Sequence, residues 1–140
     1  MPAPTSEPPF DGYTLFERDD PFENLIGPFY WRQLEDGSYN FAVRVEQHHC
    51  NNQGTLHGGL MVTMADFMLG MTAKEELSQQ LVTVSLTSEF IAAGQLGDIV
   101  EARGEIIHRT RSLAFVRGQL FEGDRPLLNA SAVFKLFRPR

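Results

Sequence analysis

The sequence predicts an α+β fold in which an antiparallel sheet packs on one central helix, and three observations carry that expectation. Leu56 to Leu77 is the one long stretch that reads as helix: no Pro interrupts it and, Asp66 apart, its charges appear only at Lys74, Glu75 and Glu76. On both sides of it lie segments that read as strands, bounded by Gly, Asp and Asn-type turn residues. Their order is a hairpin, the helix, then four consecutive strands, a pattern of helix and sheet packed as layers around one core.

Taken from the start, residues 1–11 (MPAPTSEPPFD) are expected to form a flexible arm, because X-Pro steps resist helix. Residues 12–140 then form a single domain, a size that buries a core without staples. Asp19-Asp20-Pro21 is a helix-start signal, which places a short helix near 20–26, and Gly27-Pro28 ends it. Phe29–Gln33 and Tyr39–Glu46 read as two strands turned by Glu35-Asp36-Gly37. His48–Gln53 reads as a polar loop. After the long helix, Val82–Ile91 alternates, with Val82, Val84, Leu86 and Phe90 expected on one face and Thr83, Ser85, Thr87 and Glu89 on the other. Ile99–Arg109, Leu113–Phe121 and Leu127–Phe137 complete the sheet, with turns at Gly97-Asp98 and Glu122-Gly123-Asp124.

Composition narrows the function classes. The formal net charge is −6, which argues against a nucleic-acid binder, since phosphates call for a basic footprint. The single cysteine, Cys50, forbids an intrachain disulfide and suits a reducing compartment. The N-terminus lacks a cationic start and an apolar stretch, so it does not read as a signal peptide. No uncharged apolar run approaches the roughly 20 residues of a membrane helix. A cytoplasmic location is expected. His48, His49 and Cys50 are adjacent, but zinc needs about four suitably spaced ligands and no Cys-x-x-Cys or partner His set accompanies them, so no metal is expected.

The long helix holds the candidate chemistry. On a wheel of about 100° per residue, Met61, Met64, Met68 and Met71 share one side. Met fills irregular gaps, so that side is expected to pack on the sheet. Gly59, Val62, Thr63, Gly70 and Ala73 share the other, centred on Asp66. Interior helix glycines cost about 0.5–1 kcal/mol each relative to Ala, so another backbone or a ligand is expected to come close there. A carboxylate in that setting is either paired or has its pKa raised by desolvation. The plain alternative is an Asp that bonds to a neighbouring strand or loop. His57-Gly58-Gly59 opens the helix, where unpaired N–H groups and the helix dipole suit a carbonyl oxygen or oxyanion; alone, it is equally a tight loop-to-helix turn. His57 and Asp66 are nine positions apart, which is roughly 180° around the axis and about 13 Å along it. If both act on one small reaction centre, two chains must supply them.

The stretch Asn51-Asn52-Gln53-Gly54-Thr55-Leu56-His57-Gly58-Gly59, followed by Asp66 in an apolar helix, resembles the hotdog-fold acyl-CoA thioesterases. It is most similar to the branch of the phenylacetate-pathway thioesterases and thioesterase superfamily member 2. That branch carries N-x-x-G-x-x-H-G-G with an Asp seven positions later, and Asn51, Gly54, His57, Gly58, Gly59 and Asp66 fill it without gaps. The resemblance extends over about residues 40–137, through Val82-Thr83-Val84 and Ser112-Leu113-Ala114-Phe115. It implies a sheet wrapped around one helix, homodimers with active sites shared between subunits, and in many members homotetramers. It implies hydrolysis of acyl-CoA to free acid and CoA, with no cofactor.

The resemblance also implies roles. The Gly58 N–H would polarise the thioester carbonyl, with Gly59 beside it and His57 orienting that end of the substrate. Asn51 would position water or the sulfur side. Asp66, from the other subunit, would act as general base or nucleophile, and Thr83 would place the water. Arg109, Arg111 and Ser112, between two strands, are candidates to meet the CoA phosphates, as are Arg138 and Arg140; the missing Gly beside Arg111 departs from the family's usual turn, and a solvated charged hairpin is the alternative. Two other activities stay open: a hotdog dehydratase or hydratase, and a non-catalytic acyl-CoA-binding module.

Overall fold

A computed structural model of the chain describes residues 12–137, so the expected arm over 1–11, and Arg138 and Arg140, lie outside the described residues. The elements run β1 (Thr14–Leu15), α1 (Pro21–Ile26), β2 (Tyr30–Gln33), β3 (Tyr39–Arg44), α2 (Gly58–Leu77), β4 (Gln80–Phe90), β5 (Ile99–Arg109), β6 (Leu113–Glu122) and β7 (Arg125–Phe137). The seven strands form one antiparallel sheet in the order β1-β2-β3-β5-β6-β7-β4. Every expected strand and both helices are present. The added piece, β1, pairs only Thr14 and Leu15 with β2, too few residues to leave a pattern in the sequence.

The core lies between α2 and the concave face of the sheet. Met61, Met64, Met68 and Met71 are all buried there, as their shared helix face predicts. The sheet accommodates the helix by omitting side chains where the two come closest. Gly104 on β5 and Gly118 on β6 are register partners. A Cβ at Gly118 would stand 2.6 Å from the Arg103 carbonyl oxygen and 2.7 Å from Leu69 Cδ2. At Gly104 it would stand 2.8 Å from Leu69 Cδ2 and 3.3 Å from Met68 Sδ. Those side chains of α2 therefore occupy the space a Cβ would need.

β4 departs from simple alternation. Thr83 pairs with Phe134 and Ser85 with Val133, so Val84 is an extra residue in a bulge. Before the bulge Leu81 and Thr83 turn toward α2; after it Leu86 does. The expected shared face of Val82, Val84 and Leu86 is thus corrected. Val82 and Val84 are 49% and 61% exposed, whereas Leu86 packs against the core. One inserted residue reverses which parity faces inward. Among the described residues β4 is also an outer strand, with β7 as its one strand neighbour.

The expected polar loop at 48–53 contains a buried histidine. His49 Nδ1 accepts from the Glu46 N–H at 2.9 Å, so the ring proton sits on Nε2, which donates to the Ile26 carbonyl at 2.6 Å. The His49 carbonyl in turn accepts from the His57 N–H at 2.9 Å. This one residue ties the end of α1 to the start of α2. Burial holds its pKa below the ordinary histidine value. α1 itself begins as expected: Asp20 caps it by accepting from the Glu23 N–H, and Pro21 opens it.

Two stability predictions follow from these contacts. Gly118→Ala should lower the unfolding free energy by about 1–3 kcal/mol, because its Cβ meets fixed backbone; urea melts measure this. His49→Gln should cost about 1–3 kcal/mol at pH 7 by leaving buried groups unpaired. The unfolded chain binds a proton on this histidine that the folded chain resists. Its stabilising contribution is therefore complete above about pH 6.5 and declines as the pH falls below it. Wild type should lose stability between pH 7 and pH 5 more steeply than His49→Gln.

Candidate functional site

Asp66 sits midway along α2, half-buried, in an open groove of about 560 Å³. Of its two expected alternatives, pairing is the one observed. The Thr83 hydroxyl donates to Asp66 Oδ1 at 2.6 Å. Thr83 can reach because the bulge lies after it, leaving its side chain on the helix side of β4. Asp66 Oδ2 has no hydrogen-bond partner among the described residues. With its O–H donated in that hydrogen bond, Thr83 keeps oxygen lone pairs that can accept from a water.

The floor and walls of the groove come from three elements. α2 supplies Thr63, Phe67, Gly70 and Met71, and β4 supplies Leu81 and Leu86. α1 and the residues before it close the other side with Arg18, Asp20, Phe22 and Glu23. Arg18 and Glu23 form a two-point ion pair, with Arg18 Nε donating to Glu23 Oε1 at 2.8 Å and Nη2 to Oε2. The Glu23 carboxylate pushes the Arg18 guanidinium further up, so it stays charged. The Glu23 N–H holds the Asp20 carboxyl below the usual range. The sequence motif contains none of these wall residues. Their one local signal was the helix start at Asp20-Pro21.

The expected close approach on the small-residue side of α2 is not found at Gly70. A Cβ there would stand 3.6 Å from Leu81 and Phe134, an ordinary van der Waals contact, and Gly70 itself is buried. Ala73, expected on the same side, is fully buried.

At the start of α2, His57 is the N-cap and its Nδ1 accepts from the Gly59 N–H at 2.8 Å. A neutral ring in this position carries its proton on the outward Nε2. Gly59 is glycine for a local reason: a Cβ would come within 2.9 Å of the His57 ring. Gly58 is the first helical residue, and its N–H has no acceptor among the described residues. Phe90 covers its other side, 3.0 Å from where a Cβ would stand. The space expected beside Gly58 and Gly59 is thus partly filled by Phe90 and His57.

Asn51 uses its side chain on its own loop. Its Oδ1 accepts from the Gln53 and Thr55 N–H groups at 2.9 and 3.2 Å, and its amide donates to Thr55 Oγ1 at 3.0 Å. Gly54 completes that turn with φ +80°. Arg109, Arg111 and Ser112 lie at the opposite end of α2, where Arg109 donates to Gln79 Oε1 at 2.8 Å. Within one chain the structure therefore brings Asp66 and Thr83 together. Asn51, His57, Gly58 and Gly59 stand at the helix start, and the arginines stand near its end. None of these two outer groups lines the Asp66 groove. The His-His-Cys cluster is used internally: both His49 nitrogens are bonded and the Cys50 thiol donates to the Glu46 carbonyl.

Comparison with known proteins bears on the family and the fold. The family model described as Thioesterase superfamily matches residues 53–128. The chain is 36% identical to the Pseudomonas aeruginosa protein named "Putative esterase PA0474", over 90% of this chain and 96% of that one. It is 27% identical to human acyl-coenzyme A thioesterase 13, over 67% of this chain and 68% of the relative. The structure of zebrafish thioesterase superfamily member 2 superposes with a TM-score of 0.78 at 23% identity, covering 85% of this chain and 89% of that one. With its α+β hotdog fold and a family match that spans the helix and most of the sheet, the chain belongs to the thioesterase superfamily.

Proposed function

We propose that the protein hydrolyses the thioester bond of acyl-CoA, with Asp66 as the group that activates or performs the attack. The observation that carries this reading is the Asp66–Thr83 pair, 2.6 Å apart in an open groove with one carboxylate oxygen unengaged. As general base, Asp66 Oδ2 takes a proton from a water that Thr83 Oγ1 orients; the water oxygen bonds to the carbonyl carbon. As nucleophile, Oδ2 bonds to that carbon and water then cleaves the anhydride. In both, the C–S bond breaks, the thiolate of CoA leaves and takes up a proton, and free acid remains. The charge that develops on the carbonyl oxygen needs donors, and the Gly58 N–H at the positive end of α2 suits it.

Those donors come from a second copy. Asp66 and Gly58 of one chain are separated by about 12 Å of helix. The sheet has two edges, a two-residue β1 and an eleven-residue β4. A long open edge with exposed Val82 and Val84 is suited to strand pairing with its copy. Because β4 also carries Thr83, pairing there places each Asp66 groove at the junction. A homodimer that can pair again into a tetramer, with Arg109, Arg111 and Ser112 near the CoA phosphates, completes the reading.

Thiol release from a panel of acyl-CoAs tests it. Asp66→Asn should keep the fold by circular dichroism and lower kcat about 10²–10⁴-fold. Thr83→Val should lower it less, by about 10–100-fold, the loss of one charge-assisted hydrogen bond. Hydration of an enoyl-CoA without thiol release would replace hydrolysis with a hydratase activity, and binding without turnover would leave a carrier module. Val84→Asp should convert the dimer to monomer by light scattering and abolish turnover together; an active monomer would sink the shared site.

A further inference from the structure

We infer that the segment from Arg18 to Glu23 is the acyl-selecting wall of the Asp66 groove, and that the groove takes an acyl group with an extended apolar body. This deepens the thioesterase reading and rests on it.

The floor is one stripe of α2. Asp66, Gly70 and Lys74 succeed each other four residues apart, a run of about 12 Å along the axis. Beyond the carboxylate the floor is low, because Gly70 contributes no side chain; a Cβ there would make ordinary van der Waals contact, 3.6 Å from Leu81 and Phe134. The surfaces that face this space are Phe67, Met71, Leu81 and Phe134, all apolar. Polar and charged groups flank them, with Lys74 and Gln80 at the far end and Arg18, Asp20 and Glu23 on the α1 side. An acetyl group held at Asp66 would leave most of this length unfilled, whereas a longer chain or an aryl group fills it.

The wall on the α1 side is rigid where it must be and open where a ligand would touch. Arg18 is fixed by two bonds to the buried Glu23, and its Nη1 lies 3.4 Å from Met71 Sδ, which joins the wall to the floor. Arg18 also lies 3.7 Å from Asp20, so the three charged side chains of the wall leave one net negative charge, held beside the guanidinium. Phe22, between Asp20 and Glu23, lines the same groove yet is 56% exposed. A large aromatic left uncovered on the rim of an apolar groove is a contact surface for the ligand. The wall also lies outside residues 53–128, the stretch that matches the family model. Acyl choice can therefore change here without disturbing Asp66 or Thr83.

The test uses the full chain and its Phe22→Ala, Gly70→Leu and Gly70→Ala variants. Thiol release is measured with acetyl-, hexanoyl-, octanoyl- and phenylacetyl-CoA. Calorimetry measures binding of a non-hydrolysable octanoyl thioether of CoA. The ratio of kcat/KM for octanoyl- over acetyl-CoA should fall about ten-fold or more in Gly70→Leu and about three-fold or more in Phe22→Ala, magnitudes typical of altered apolar pockets. Gly70→Ala, whose Cβ makes ordinary contacts, gives a smaller fall in the same direction and serves if Gly70→Leu does not fold. Ratios unchanged in Phe22→Ala and in the folded Gly70 variant overturn the wall. If wild type releases no thiol from any substrate, the thioesterase reading falls separately, and the thioether decides: affinity weakened in both variants supports the wall, and affinity equal to wild type removes it.

Discussion

A helix can sit inside this sheet only because two opposed strands give up their side chains beneath it. Gly104 and Gly118 face each other across β5 and β6, and Leu69 and Met68 of α2 fill the places where their Cβ atoms would stand. That close seating fixes the rotation of α2 about its own axis. With Met61, Met64 and Met68 turned into the sheet, Asp66 falls at the margin between helix and β4. There it is neither fully desolvated nor free in solvent. Thr83 meets it because β4 lies directly beyond β7 at that margin. The position of the carboxylate is thus a consequence of packing on the opposite face of the same helix.

A second connection runs through the chain before α2. His49 binds the last carbonyl of α1 through its ring and the first N–H of the α2 approach through its backbone. α1 in turn carries Glu23, which grips Arg18 over Met71. The start and the middle of the helix that holds Asp66 are therefore anchored differently. The N-terminal end is tied by hydrogen bonds to a buried histidine and capped by His57, while the middle is flanked by an ion pair on one side and a strand hydroxyl on the other.

Much of this was legible in the sequence, and the exceptions have physical causes. The order of elements followed from turn residues and from one uninterrupted apolar helix, and Asp66 stood out as its lone interior charge. The facing of β4 was misread because a bulge is a backbone event: Val84 has the same side chain whether or not it pairs, so alternation alone assigned it to the wrong face. His49 looked like part of a polar loop because its two partners, the Ile26 carbonyl and the Glu46 N–H, are backbone groups that every residue possesses. The Arg18–Glu23 wall was invisible for a related reason. Its relation to Asp66 spans more than forty positions, and only the folded chain brings α1 over the groove.

The bulged outer strand also has a bearing on how a newly made chain behaves. Among the described residues, the eleven of β4 pair with a strand on one side only, and Val82 and Val84 lie exposed along it. Such a ribbon accepts any extended polypeptide that arrives first. A freshly made copy therefore carries an edge that stray strands can join, and crowded or overheated preparations push it toward precipitation.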